Sequence, residues 1–232
     1  MFFYNPYYLL FMAPAFILTM LAQLFVNSTY KKWQRVPTSS QINGAEAAQR
    51  LTRFAGLSNI EIQGTRGKLT DHYDPRSNTL RLSEGVYRGN SVASLAIAAH
   101  ELGHALQDQD EYFPLRFRSM LVPVVNIGSY LGWILIMIGL FMRLTDLAWL
   151  GVLVFSGGAI FSLATLPVEL NASARAKEML TNSGLIRTEE EQRGVNAVLN
   201  AAALTYVAAI FTAILQLLYW ASMVAGIGGR RK

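Results

Sequence analysis

The stretch SVASLAIAAHELGHALQ, residues 91–107, places two histidines four positions apart in an otherwise almost wholly apolar run. Ser91 is a suitable N-cap, and the run predicts a helix of about 17 residues. On a helix, His100 and His104 lie one turn apart on the same face, so both imidazoles can reach one metal ion. Glu101 then stands beside the ion, where it can act as a general base. The HExxH pattern therefore predicts a Zn²⁺ site with two histidine ligands and Glu101 as the catalytic base.

The rest of the composition strengthens this interpretation. The chain has three histidines, and two of them fill the motif. A buried cluster of His, Glu and His without a metal leaves costly unpaired polar groups, which disfavours the alternative of a hydrogen-bonded core pair. The absence of Cys excludes disulfides, thiolate zinc ligands and cysteine nucleophiles.

The chain also has the composition of a membrane protein. Hydrophobic residues make up 52% and charged residues 15%, whereas soluble domains carry about 25% charged residues. Four apolar segments predict membrane-spanning helices, and the first lacks the basic start of a signal peptide, so we expect an uncleaved anchor. The expected organisation is an N-terminal transmembrane helix (1–29), a soluble catalytic region (30–118), a transmembrane hairpin (119–166), a soluble helical region (167–194), and a C-terminal transmembrane helix with a tail (195–232).

A zinc ion in a hydrolytic site usually needs a third protein ligand. Asp108 lies eight residues from the first histidine, about 12 Å along a helix axis, which is too far for a shared ion. Asp110 takes the place of the third histidine in the metzincin pattern, but Gln107 stands where that pattern requires Gly. Glu169, at the predicted start of a polar helix that follows the third span, and His72 remain as candidates.

Two alternating runs, NIEIQG and TLRLS, predict short strands. Between them Asp71, His72, Tyr73 and Asp74 form a polar cluster in a predicted turn. A Pro-containing turn is predicted at Asp74-Pro75, and the stretch as a whole predicts a small β-hairpin or sheet edge. Histidine, tyrosine and arginine side chains often stabilise the oxyanion in hydrolases. We therefore predict such a role for His72, with Tyr73 and Arg175 as further candidates; the alternative for His72 is a surface turn histidine.

Four blocks, AAHELGHALQ, TDHYDPRSNTLRLS, LPVELNASARA and NAAALTYVAA, together resemble the bacterial membrane-bound neutral zinc metallopeptidases, the YugP-like family. The resemblance covers nearly the whole chain. It implies a multi-span membrane protein with zinc at HExxH, and it favours Glu169, in the PVE block, as the third ligand. The chain departs from the family at Asn171, where Asp is expected; an amide oxygen there can still orient a zinc-binding histidine.

The distribution of positive charge predicts the side of the membrane. Of the 20 Lys and Arg residues, 12 lie in residues 31–118 and 4 in residues 167–194. The positive-inside rule places these 16 and the catalytic side in the cytoplasm. Arg230, Arg231 and Lys232 argue against this topology, because four spans place them outside.

We therefore predict a mostly α integral membrane protein of the cell membrane, with about four transmembrane helices and a small α+β zincin-type (gluzincin-like) domain. The expected function is that of a zinc metalloendopeptidase acting on peptide or protein substrates, membrane proteins included, in contact with the lipid bilayer and without nucleic acid. The oligomeric state stays open. One alternative is a non-catalytic membrane scaffold stabilised by zinc. A transporter accessory is disfavoured, because the predicted spans contain no charged residue.

Overall fold

The computed structural model describes residues 6–57 and 59–228. Arg230, Arg231 and Lys232, which bear on the predicted topology, lie outside the described residues. The elements in chain order are α1 (Pro6–Trp33), α2 (Gly44–Phe54), β1 (Glu61–Thr65), β2 (His72–Asp74), β3 (Thr79–Ser83), α3 (Glu84–Tyr87), α4 (Val92–Gln109), α5 (Phe113–Met142), α6 (Thr145–Phe155), α7 (Gly157–Asn182) and α8 (Glu189–Gly228).

The chain divides into two units, and residues 23–115 and 167–204 form the one that contains the HExxH motif. Helix α4 lies in its core. The helix begins at Ser91, whose side chain accepts a hydrogen bond from the Ser94 amide, as the sequence predicts. Leu95 and Leu102 on α4 are fully buried, and α2, α3 and the sheet pack against this helix. An almost wholly buried helix provides a rigid support for the motif.

The small sheet has the strand order β1-β3-β2, with β1 parallel and β2 antiparallel to β3. The two predicted strands are present as β1 and β3. The prediction that residues 71–74 form a turn is wrong for His72–Asp74, which pairs with β3 as an edge strand, whereas the predicted β-hairpin is present as β2 and β3. The turn follows at residues 75–78, because the Asp74 carboxylate accepts hydrogen bonds from the Arg76 amide and the Ser77 hydroxyl and so satisfies the turn locally.

The other unit contains residues 6–22, 116–166 and 205–228 of the described chain. Its helices α5 and α6 pack at short range: a Cβ built on Gly139 would lie 2.5 Å from the Ala148 amide nitrogen. Small residues allow such backbone contact, which is a common way for helices to associate in lipid. A second cluster includes Ile136 and Tyr219, and Tyr8 of α1 packs edge-on against Tyr219 at 5.3 Å between ring centroids.

Within the described residues, four helical segments are long and apolar enough to cross a membrane: Tyr8–Trp33, Phe113–Met142, Thr145–Asn182 and Glu189–Gly226. The shortest has 26 residues, and a span needs about 20. The expectation of a mostly helical chain with four such segments and a small sheet is confirmed.

The helices that contain the third and fourth segments extend beyond the predicted spans, while the two units divide between residues 166 and 167. We expected the third span to end at Pro167 and a new helix to begin, whereas α7 continues through Pro167 to Asn182. Helix α8 likewise begins at Glu189, and its residues up to Leu204 belong to the unit of the HExxH motif.

Candidate metal centre and active site

The candidate site lies where α4 and α7 approach each other most closely. A Cβ built on Gly103, inside the HExxH motif, would lie 2.4 Å from the carbonyl oxygen of Ala172 on α7. A side chain at position 103 is therefore incompatible with the present separation of the helices. Since Glu169 is one turn before Ala172 on the same helix, Gly103 brings the glutamate within reach of the two histidines.

Three side chains converge at this crossing. The Nε2 atom of His100 lies 3.3 Å and that of His104 3.4 Å from the same oxygen, Oε2 of Glu169. The imidazole rings stand nearly perpendicular, with centroids 4.9 Å apart. The ligand atoms of the three residues all lie within 4.8 Å of one another, and the described part of the chain contains no other such group of three metal-ligating residues.

The opposite ring nitrogens are also held by polar side chains. The Nδ1 atom of His100 lies 3.2 Å from the Ser173 hydroxyl, and that of His104 lies 3.0 Å from Oε1 of Gln107. Hydrogen bonds at Nδ1 fix how an imidazole presents its Nε2 atom. Both histidines are thereby oriented toward Glu169.

The electrostatic environment of His104 favours positive charge at its imidazole ring. Burial lowers the pKa of this imidazole, but the hydrogen bond to Glu169 and the charges of Glu101 and Glu169 outweigh burial, and the pKa is raised above its usual value. A metal must displace the proton from a ligating histidine. Metal affinity is therefore expected to fall as the pH drops below this raised pKa.

Glu101 is half-buried beside the first histidine. Its carboxylate has no hydrogen bond or ion pair within the described residues, although its charge acts on His104 and on Asp71. Burial raises the pKa of Asp71, hydrogen bonds from Ser83 lower it, and the charge of Glu101 raises it again, with a net upward shift. An unoccupied carboxylate at this position is available to a water molecule or a substrate.

The polar cluster of residues 71–74 is distributed differently from the prediction. His72 is exposed on the edge strand, and its Nδ1 atom lies 2.9 Å from the Thr70 carbonyl oxygen. The Tyr73 hydroxyl donates to Asn78 and lies 3.2 Å from the Asp108 carboxylate. Burial and the Asp108 charge raise the pKa of Tyr73 to about 12. Asp71, rather than His72, is the member of the cluster that interacts with the HExxH motif, and a role for His72 or Tyr73 in hydrolysis stays a prediction.

Arg175 and Asn171 lie on α7 beyond Glu169. The Arg175 guanidinium donates to Asn171 and to Asp110 and lies over the Tyr112 ring. Neither Asp110 nor Asp108 joins the group of metal-ligating side chains. Asp108, rejected on spacing, and Asp110, rejected because Gln107 replaces the glycine of the metzincin pattern, both lie outside this group.

The sequence analysis missed the two residues that contact the histidines at Nδ1. Gln107 lies three residues after His104, and Ser173 lies four residues after Glu169. Each spacing puts the residue on the ligand-bearing face of its helix, and that signal could have identified both. Gln107 was considered only as a departure from the metzincin pattern.

The donor set fits zinc. Two imidazole nitrogens and one carboxylate oxygen, without a cysteine, are a common protein ligand set in hydrolytic zinc sites and leave a position for water or substrate. The fit also rests on the geometry, because both Nε2 atoms face the same carboxylate oxygen at nearly equal distances of 3.3 and 3.4 Å. A cation bound among these atoms would balance the negative charge of the Glu169 carboxylate and accept the Nε2 lone pairs of His100 and His104.

Comparison with known proteins agrees with this donor set. The family described as "Putative neutral zinc metallopeptidase" matches residues 8–225. A protein of Bacillus subtilis (strain 168), described as "Putative membrane protease YugP", is 45% identical over 201 residues, which cover 87% of this chain and 89% of that protein. No solved structure matches the chain. The resemblance predicted from the four sequence blocks is confirmed: the chain belongs to the family of neutral zinc metallopeptidases that matches nearly its whole length.

Proposed function

We propose that the protein is a membrane-embedded zinc metalloendopeptidase with a gluzincin-like site, in which His100, His104 and Glu169 hold the ion and Glu101 is the general base. The observation that carries the proposal is the convergence of both Nε2 atoms on Glu169, with the Glu101 carboxylate free beside them. Family membership supports the reaction class, and the donor set supports the metal.

The chain's own residues account for the proton transfers. When bound, zinc polarises the substrate carbonyl and lowers the pKa of water to about 7. Glu101 takes a proton from the attacking water as the new C–O bond forms. It then delivers that proton to the departing amine as the C–N bond breaks. The mostly buried histidines keep their orientation through Gln107 and Ser173, so the charges do not need to reorganise during the reaction.

Removal of zinc provides the first test. The purified full-length protein in detergent is expected to cleave an unfolded protein such as casein, to lose that activity with a strong chelator, and to regain it with stoichiometric Zn²⁺ but not with Mg²⁺. The site has imidazole ligands, which Mg²⁺ does not favour. Cleavage is measured from the appearance of new amino termini. Activity that survives complete removal of zinc would contradict the proposal.

A zinc-stabilised scaffold is the alternative, and the same preparations distinguish the two. A structural zinc site is normally closed by four protein ligands, whereas three metal-ligating residues converge in the described part of the chain. A protein that binds one zinc ion, loses thermal stability on chelation and cleaves none of a broad set of peptides would favour the scaffold.

We also propose that the site faces the cytoplasm, because residues 31–118 and 167–194 carry 16 of the 20 Lys and Arg residues. The chain contains no cysteine, so single-cysteine variants can be labelled without background. Ser77→Cys and Ser183→Cys are expected to resist a membrane-impermeant thiol reagent in intact cells and to react after permeabilisation. Arg143→Cys, between α5 and α6, is the matched position on the opposite side and should react in intact cells. Labelling of Ser77→Cys and Ser183→Cys in intact cells would show that the site faces the outside and would contradict the proposed topology.

A further inference from the structure

Gln107 is fully buried next to the candidate metal centre. Both the nitrogen and the oxygen of its carboxamide form hydrogen bonds. The Nε2 atom donates to the Val168 carbonyl oxygen at 2.8 Å and to Oδ1 of Asn171 at 2.9 Å. The Oε1 atom faces Nδ1 of His104 at 3.0 Å. This single side chain therefore links the second histidine of the HExxH motif to the helix that carries Glu169.

The direction of these hydrogen bonds follows from neighbouring groups that can only donate or only accept. Arg175 has donors and no acceptor, and its Nε atom lies 2.9 Å from Asn171, so the Asn171 atom at this contact is the carbonyl oxygen. That oxygen and the Val168 carbonyl accept only, so the Gln107 atom between them is the nitrogen. The Gln107 oxygen must then face His104.

A proton position on His104 follows. Since Oε1 of Gln107 can only accept, Nδ1 of His104 carries the hydrogen that it donates. The Nε2 atom faces the Glu169 carboxylate, which also only accepts, so it donates to Glu169 until a metal displaces that proton. The displacement leaves Nδ1 protonated and the lone pair of Nε2 available to the metal. His100 lacks this constraint, because the Ser173 hydroxyl at its Nδ1 atom can donate or accept.

We propose that Arg175, Asn171 and Gln107 form a positioning relay that keeps a hydrogen on Nδ1 of His104 and so makes Nε2 the ring nitrogen that gives up its proton and binds the metal. This inference rests on the proposed function, because it assumes that His104 binds zinc. It concerns metal binding and not the hydrolytic step. Its outer end is anchored at Asp110, which accepts a hydrogen bond from Arg175. Arg175 thereby acts through Asn171 and Gln107, and its role is to position His104 rather than to contact the substrate.

Zinc affinity tests the relay. Gln107→Met keeps the length of the side chain and removes its hydrogen bonds, and it is expected to weaken Zn²⁺ binding about 10- to 100-fold, the usual effect of losing a partner of a ligating histidine. Asn171→Asp keeps an acceptor for both Gln107 and Arg175 and should bind zinc no more weakly than wild type. Gln109→Met, at the exposed end of the same helix, is the matched control and should leave the affinity unchanged. Affinities are measured on the full-length protein in detergent by competition with a zinc-binding dye.

A spectroscopic measurement separates positioning from loss of folding. With ¹⁵N-histidine incorporated, the three histidines of the metal-free protein can be observed at alkaline pH, where protonated and bare ring nitrogens have distinct shifts. The share of the Nδ1–H form of His104 should be the same in wild type and in Asn171→Asp. It should be clearly smaller in Gln107→Met, where the Glu169 carboxylate at Nε2 is the acceptor that remains. If Gln107→Met does not fold, Asn171→Leu provides the test: it removes one of the two acceptors that orient Gln107 and leaves the Val168 carbonyl, so the share of the Nδ1–H form should fall, but by less than on loss of Gln107 itself.

The outcomes distinguish the relay from the proposed function. Wild-type zinc affinity in Gln107→Met together with an unchanged His104 tautomer would overturn the relay, as would an equal loss in Gln109→Met. Neither result bears on hydrolysis by the wild type. Conversely, a wild-type protein that binds zinc with the Nδ1–H tautomer but cleaves no peptide would support the relay and reject the peptidase.

Discussion

The Glu101→Gln variant is expected to lose peptide hydrolysis by about 10³-fold while keeping its zinc, because a general base contributes roughly 10²- to 10⁴-fold to the rate. Glutamine has nearly the same shape and cannot take a proton from water. Glu101 is not one of the three converging metal-ligating residues, so the metal site should survive. Initial rates and zinc content are to be measured on the same purified sample.

The control for this variant is Glu84→Gln. Glu84 is exposed and pairs with Arg88 at the surface, so its neutralisation should change neither the rate nor the zinc content. Turnover by metal-loaded Glu101→Gln at the wild-type rate would exclude Glu101 as the base. Loss of zinc from the variant would instead assign Glu101 to the ligands.

Glu169→Ala should lose bound zinc as well as activity, whereas His72→Ala should keep its zinc. The carboxylate of Glu169 faces both Nε2 atoms, and its removal leaves two protein ligands for an ion that normally has three or four. His72 lies exposed on the edge strand, against the Thr70 carbonyl. Zinc stoichiometry after dialysis against a weak chelator distinguishes the two variants.

The His72→Ala variant also tests the predicted oxyanion role. If His72 stabilises the transition state, the variant should show a lower kcat at full zinc occupancy. Glu178→Ala, an exposed position on the same helix as Glu169, should behave as wild type in both respects. Full zinc retention by Glu169→Ala combined with loss from His72→Ala would reverse the assignment of the third ligand.

The sequence predicted those features that depend on local spacing. The shared face of the i,i+4 histidines, the Ser91 N-cap and the four apolar segments each depend on residues close together in one helix. All three features are present. Glu169 could be proposed only through its sequence block, because no spacing rule relates a residue on α7 to one on α4. The resemblance supplied what the physical pattern lacked.

Features that depend on contact between elements were predicted poorly. The close approach at Gly103 requires α7 to lie against α4, which is a tertiary contact and leaves no periodic signal. Gln107 is polar in a position that the helical pattern assigns to the core, and its partners on α7 are known only from the fold. The strand His72–Asp74 is not evident in the sequence, because three residues are too short to show alternation clearly.

The most direct test of the metal centre is an anomalous difference map from crystals of the full-length protein with Zn²⁺, using data collected on both sides of the zinc absorption edge. The account predicts one peak, about 2 Å from Nε2 of His100, Nε2 of His104 and a carboxylate oxygen of Glu169, with the Glu101 carboxylate nearby but not coordinated. A peak at any other position, or coordination by His72 in place of Glu169, would contradict it.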